Sequence, residues 1–170
     1  QRAVLELPGP WQVEFDPKWG GPGVVEFPRL IDWTRSEQEG IRYYSGTAVY
    51  EHPIFDLPAG TDLKDGERIL LDLGDVREIA EVFVNGKSVG VAWTRPFQVD
   101  ISEALKPTGN QMQIHVVNLW PNRLIYEDGL SENQRLTRTN VSKFKKEMPP
   151  TTSGLLGPVK LLKTKVSQGL

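Results

Sequence analysis

VFVNGKSVGVAWTRPFQVDI, residues 82–101, decides how the chain is read. Val82 and Val84 stand two apart before Asn85-Gly86, and Val89 and Val91 stand two apart after it. That is the alternation of strands with one buried face. Asn-Gly suits a two-residue type I′ turn, because both central residues must take positive φ. With that turn, Val82 is expected opposite Val89 and Ala80 opposite Val91, so one register places every valine on the same side. The alternation breaks at Trp93, Thr94, Arg95 and Pro96 and resumes at Phe97. The break is read first as a corner of the chain and second as a place where something binds.

Period-two patterning continues on both sides of this hairpin. Ile69, Leu71 and Leu73 share one face of a strand. Met112, Ile114 and Val116 repeat the pattern, with Gln113 and His115 facing the other way. Further strands are expected at 11–15, 45–52, 97–100 and 158–164. Helical signals are short. Asp100 to Glu103 resembles a capping box and predicts a turn or two of helix through Leu105, closed by Pro107 and Gly109. Gly and Pro collect between the strands, at 17–23, 58–66 and 149–157. Short strands joined by such loops predict an all-β chain, an antiparallel β-sandwich or barrel of the jelly-roll kind with short connecting helical turns. At 170 residues the length fits a single domain spanning 1–170. The polar segment from Pro121 to Pro150 is the least regular part and reads as a long loop, either functional or poorly ordered, with nothing in the sequence to choose between the two.

Composition excludes several classes of function. Lys and Arg total 20 against 22 acidic residues, for a net charge of -2, so no strong field draws in nucleic acid or an anionic membrane. The basic bias between Arg138 and Lys165 reads as a solvated face. Without cysteine there is neither a disulfide framework nor a zinc-thiolate site. No apolar run is long enough to span a bilayer, and the first residues do not read as a charged-then-apolar leader. The start at Gln1 reads as a mature chain or a domain of a longer polypeptide. Asn140-Val141-Ser142 fits a glycosylation sequon, a triplet too common to carry weight.

Triads and metal sites draw mostly on histidine or cysteine, and the chain has only His52 and His115, each read as a surface or satisfied residue. Glycosidases need two carboxylates on either side of the scissile bond. The available pairs are Glu127 with Asp128, Glu78 with Glu81, and Asp72 with Asp75, and nothing in the sequence chooses among them. No catalytic residue is therefore assigned. Aromatic faces stack on the C–H patches of sugars while amides, carboxylates and guanidinium groups bond the hydroxyls. Trp93 with Arg95, and Trp120 with Asn122, Arg123, Tyr126 and Asp128, have that chemistry and are the candidate carbohydrate-binding residues. Strand parity nevertheless favours core positions for Trp93 and Trp120, while Trp11 reads as core and Trp19 as a loop residue open to solvent. The default role of Asn118, Asn122 and Asp128 is to brace the 118–128 turn by bonding free backbone groups.

The ordered segments GIRYYSGTAVY, LDLGDVREIAEVFVNGKSVGVAWTRPFQVDISEALK and GNQMQIHVVN resemble the galactose-binding-like β-sandwich of glycoside hydrolases, the family 2 sugar-binding domain in particular. GPWQVEFDPKWGGP, NLWPNRLI and SGLLGPVKL extend the likeness over nearly the whole chain. Together they resemble the C-terminal domain of bacterial enzymes similar to α-L-rhamnosidases of glycoside hydrolase family 106. NRLIYED departs from the related pattern NRLIGD by placing Tyr126 where that pattern has glycine.

The resemblance implies a non-catalytic module of a bacterial glycoside hydrolase, periplasmic or secreted. Its partners would be the catalytic domain of the same polypeptide and carbohydrate, with no nucleic acid and no membrane. No cofactor is implied as required, and a structural calcium is an option that some such sandwiches use. The alternatives are an independent glycan-binding module or lectin, and a self-sufficient hydrolase or lyase.

Overall fold

A computed structural model describes residues 1–140 and 142–165. Val141 of the sequon triplet lies outside the described residues. Twelve strands occur among them: β1 (Arg2–Glu6), β2 (Trp11–Phe15), β3 (Gly23–Phe27), β4 (Thr47–Phe55), β5 (Glu67–Asp72), β6 (Asp75–Arg77), β7 (Ile79–Val84), β8 (Lys87–Ala92), β9 (Gln98–Asp100), β10 (Asn110–Val117), β11 (Gly154–Gly157) and β12 (Lys160–Lys165). Two short helices join them, α1 (Glu39–Arg42) and α2 (Pro121–Asp128). Six strands form one sheet in the order β3-β2-β4-β10-β7-β8, four form a second in the order β1-β12-β5-β9, and β11 pairs with β6. The chain is an all-β sandwich, as the alternating sequence predicts.

The two inner faces make the core. Across the larger sheet, Val13, Tyr50, Ile114 and Val82 stand in one row, and all four are completely buried. Leu161, Leu71 and Val99 form the matching row of the smaller sheet. Period two explains both rows, since residues two apart share a face and strand register aligns them. Tyr50 places a hydroxyl inside this apolar layer. It is satisfied there, accepting from the Trp33 indole N–H at 2.6 Å and from the Leu155 backbone N–H at 3.3 Å.

The Asn85-Gly86 turn has the expected geometry, with φ of 52° and 79°. The Asn85 side chain fixes it further, donating to the Ala104 carbonyl at 2.7 Å and accepting from the Gln111 N–H at 3.0 Å. The register beyond the turn differs from the expected one. Phe83 pairs with Ser88 but Val82 pairs with Gly90, so Val89 is the extra residue of a β-bulge. Val89 still packs against the core, whereas Val91 turns outward opposite Glu81 and is 51 % exposed. Gly90 permits this, with φ of 152° and a Cβ position that would lie 2.9 Å from Val99 Cγ1 in the opposite sheet.

Two other expectations are corrected. Residues 101–104 form a turn rather than a helix, because the Asp100 carboxylate accepts from both the N–H and the hydroxyl of Ser102 and no run of helical bonds follows. The polar 121–150 segment is not uniformly irregular. It begins with α2, opened by Pro121, whose fixed φ suits a first helical position. β1, β3, β6 and β11 are strands that the sequence pattern did not reveal. No helix among the described residues is long and apolar enough to cross a membrane.

Candidate functional site

Strand register brings three separated tryptophans to one end of the six-stranded sheet. Phe15, Ala48, Val116, Ala80 and Ala92 form the last complete row at that end. Trp93 follows β8, Trp120 follows β10, and Trp19 follows β2. β8 and β10 are two strands apart, as are β10 and β2, which spaces these loop origins by roughly 10 Å.

The core positions favoured for Trp93 and Trp120 are not found. Trp93 is 70 % exposed, because the bulge at Val89 reverses the facing of every later residue in β8. Trp120 is 46 % exposed, because the chain leaves β10 after Val117 and turns into α2. Trp120 packs edge-on against Trp19 with ring centroids 5.5 Å apart and planes at 75°, so the two indoles form an open corner. Leu119 is exposed beside them. Arg95 is fixed at the same end, its guanidinium 2.7 Å from Asp75 and 5.7 Å from the centre of the Phe97 ring.

The remaining candidate residues make their contacts within the fold. Asn122 and Arg123 are buried. The Asn122 amide donates to the Thr151 carbonyl and accepts from the Thr151 N–H, both at 2.7 Å. Asn118 does the same for the start of β4, accepting from the Gly46 N–H at 3.0 Å and donating to the Tyr44 carbonyl at 2.8 Å. Both amides meet the hydroxyl of Ser153. The bracing role expected for Asn118 and Asn122 is therefore what the structure shows. Tyr126 stacks on Tyr43, and Asp128 accepts from the Lys146 N–H at 3.1 Å and pairs with Lys145 at 3.5 Å.

Arg123 and Glu127, one helical turn apart on α2, make a buried ion pair at 2.6 Å. The same carboxylate accepts from the N–H groups of Leu136 and Thr137 and from the Thr137 hydroxyl. Burial alone would raise the pKa of Glu127. Bonds from Thr137 and Arg123 and from the two backbone N–H groups outweigh that, leaving the carboxyl below its ordinary value. Bonding from the Lys146 N–H, aided by Lys145, likewise lowers Asp128. The Arg123 guanidinium also lies over the Tyr126 ring and against Gly20, where a Cβ would come within 2.6 Å of Nη1. Gly20 has φ of 78° and follows Trp19 directly, so Arg123 supports the loop that carries one wall of the aromatic corner. The i,i+4 spacing of Arg123 and Glu127 was the available sequence signal for this pair. Thr137 carried no comparable signal.

Among the described residues, three of the other four paired carboxylates are engaged within the fold, all but Glu78. Asp75 takes Arg77 and Arg95, Asp72 accepts from Gly74 N–H and the Gln98 amide, and Glu81 accepts from Ser88. His115 packs on Phe83, and His52 lies beside Trp11, its Nδ1 2.8 Å from the Pro53 carbonyl. Burial depresses the pKa of His52. No group of three or more His, Asp or Glu side chains that could hold a metal ion occurs among the described residues.

No protein-family model matches the chain. A putative beta-glucuronidase from Formosa agariphila is 37% identical to it over an alignment of 180 positions that covers 92% of this chain and 15% of that protein. The rhamnosidase from Novosphingobium sp. PP1Y has a segment of the same fold, with TM-score 0.87 and 37% identity over 96% of this chain and 15% of that one. The Ruminococcus gnavus beta-glucuronidase matches more loosely, with TM-score 0.54 and 26% identity over 67% of this chain and 20% of that one. The chain thus spans about 15% of the length of the Formosa and Novosphingobium proteins.

Proposed function

We propose that the chain is a non-catalytic, galactose-binding-like β-sandwich module, a single domain within the C-terminal part of a larger bacterial glycoside hydrolase that acts in the periplasm or outside the cell. It supports the catalytic domain of the same polypeptide and contacts carbohydrate at the rim of Trp19, Trp93, Arg95 and Trp120. The observation that carries this reading is the likeness to the Novosphingobium rhamnosidase. It extends over nearly all of this chain but only a small part of that enzyme. The absence of an assignable acid/base pair agrees with chemistry supplied from another domain. Asn122, Arg123, Tyr126 and Asp128 then serve the rim from behind rather than by touching sugar. Exposed indoles on one rim also suit an independent glycan-binding module, and affinity separates the two readings.

The test combines turnover with binding. The 170-residue chain is titrated with rhamnose-, galactose- and uronate-containing oligosaccharides and assayed for product. The larger polypeptide is then assayed with Trp93→Ala and Trp120→Ala together. No turnover by the chain is expected, together with weak binding that the double variant reduces about tenfold, equivalent to about 1.4 kcal/mol. Cleavage by the chain alone, or binding unchanged in the double variant, contradicts the proposal. Full affinity in the isolated chain, with no effect of the variants on the larger enzyme, moves the reading to an independent module.

A further inference from the structure

A second site lies behind the rim, on the far side of α2. The second half of that helix, the 132–134 turn, residues 135–140 and residues 142–145 line a cavity of about 710 Å³. That is within the range of small-ligand sites. Its walls include Glu127, Asp128, Asn133, Arg135, Arg138, Asn140, Phe144 and Lys145.

The decisive feature is which polar groups are already used. Glu127 is occupied by Arg123, Leu136 and Thr137, and Asp128 by Lys145 and the Lys146 N–H. Glu132 is the one wall carboxylate outside these bonds, and it is exposed on its turn. Arg135 uses its Nε on the Leu130 carbonyl, which leaves the rest of the guanidinium fork. Arg138 makes no ion pair among the described residues. Of the charged groups on the walls, the guanidinium groups of Arg135 and Arg138 and the exposed carboxylate of Glu132 are left outside ion pairs. The sequence adds to this imbalance: from Asn133 to Lys146 there is no acidic residue, while Arg135, Arg138, Lys143, Lys145 and Lys146 are basic. The half-buried Phe144 supplies an apolar wall, the Lys143 ammonium lying over one face of its ring, 5.0 Å from the centre, and the other face left for a ligand.

We propose that this cavity binds an acidic saccharide, its carboxylate or sulfate held by Arg138 and its ring laid against Phe144. A guanidinium is suited to both groups because its parallel N–H bonds match their oxygens. Asn133 and Asn140 are placed to bond the hydroxyls. This deepens the proposed function and rests on its carbohydrate-contact reading, but it concerns different residues, so each can fail alone.

The experiment is calorimetric titration of the chain at low salt with tetragalacturonate, its methyl ester and a sulfated galactotetraose, repeated with Arg138→Met, Phe144→Leu and the Trp93→Ala/Trp120→Ala double variant. The ester keeps ring and linkage while removing charge. At least one anionic probe should bind about tenfold more tightly than the ester. Arg138→Met should erase that difference, Phe144→Leu should weaken binding severalfold, and the double variant should leave the preference unchanged. Binding of tetragalacturonate alone would assign the carboxylate, and binding of the sulfated probe alone the sulfate. Equal affinity of both anionic probes and the ester, a preference that survives Arg138→Met, or no binding of either anionic probe would overturn the proposal. Loss of the preference in the double variant would place the anion at the rim instead and overturn it equally.

Discussion

The β7–β8 hairpin and the segment from Asn118 to Ser153 leave the same end of one sheet, yet they are held by opposite means. In the hairpin, backbone ladders and buried apolar side chains fix the structure, with Val82 and Val84 inside and an Asn-Gly turn at the tip. In the later segment, side chains replace the ladder. Asn118, Asn122, Glu127 and Asp128 bond backbone groups of Gly46, Tyr44, Thr151, Leu136, Thr137 and Lys146. The first arrangement repeats with period two and tolerates similar residues at each position. The second depends on single polar atoms, each costly to remove because its buried partner is left unpaired.

The largest difference should appear on cutting the Arg123–Glu127 pair. Arg123→Met leaves a buried carboxylate with three donors instead of four and should cost about 3 kcal/mol, the lower end for a broken buried pair. Hydrogen exchange should show amide protection lost at residues 17–23 and 130–137 while β7 and β8 stay protected. Uniform loss across both regions would dissolve the contrast. Gly90→Ala attacks the hairpin where it is least replaceable. The unfavourable φ and the approach to Val99 should cost about 2 kcal/mol in chemical denaturation. A loss larger than that of Arg123→Met would reverse the ranking.

Acid should separate the regions more gently. Glu127 titrates below its ordinary value in the folded chain, so its stabilisation is complete above the unfolded value near 4.5 and disappears as pH falls through the folded value. Between neutral pH and about 4.5 the 130–137 segment should stay protected, and below that range it should open before the hairpin does. Glu127→Gln should abolish this acid step. Smallest of all, Trp93→Ala should change stability by no more than about 0.5 kcal/mol, because the indole lies outside the core. A large shift in thermal unfolding would mean that Trp93 is structural after all.

The sandwich was legible in the sequence because apolar periodicity reports burial directly. The rows through Ile69 and Leu71, through Ile114 and Val116, and through Val82 and Val84 follow from spacing alone. The bulge at Val89 was not legible. A Gly within a strand has several uses, and the approach of Gly90 to Val99 exists only when both sheets are in place. Reading strand parity past that bulge assigned Trp93 to the core, and the same continuation past Val117 misplaced Trp120. The polar segment showed its bracing amides but not their targets. Gly46, Thr151 and Thr137 lie between 10 and 72 residues from the side chains that bond them, beyond any local pattern.

On the proposed reading, the sandwich presents an aromatic contact rim and leaves the chemistry to the rest of the polypeptide. The five tryptophan indole N–H signals in a nitrogen–proton correlation spectrum test it most directly, recorded during oligosaccharide titration with product monitored in the same sample. Trp19, Trp93 and Trp120 should shift while the buried Trp11 and Trp33 stay in place and no product appears. Product formation, or shifts confined to Trp11 and Trp33, would contradict it.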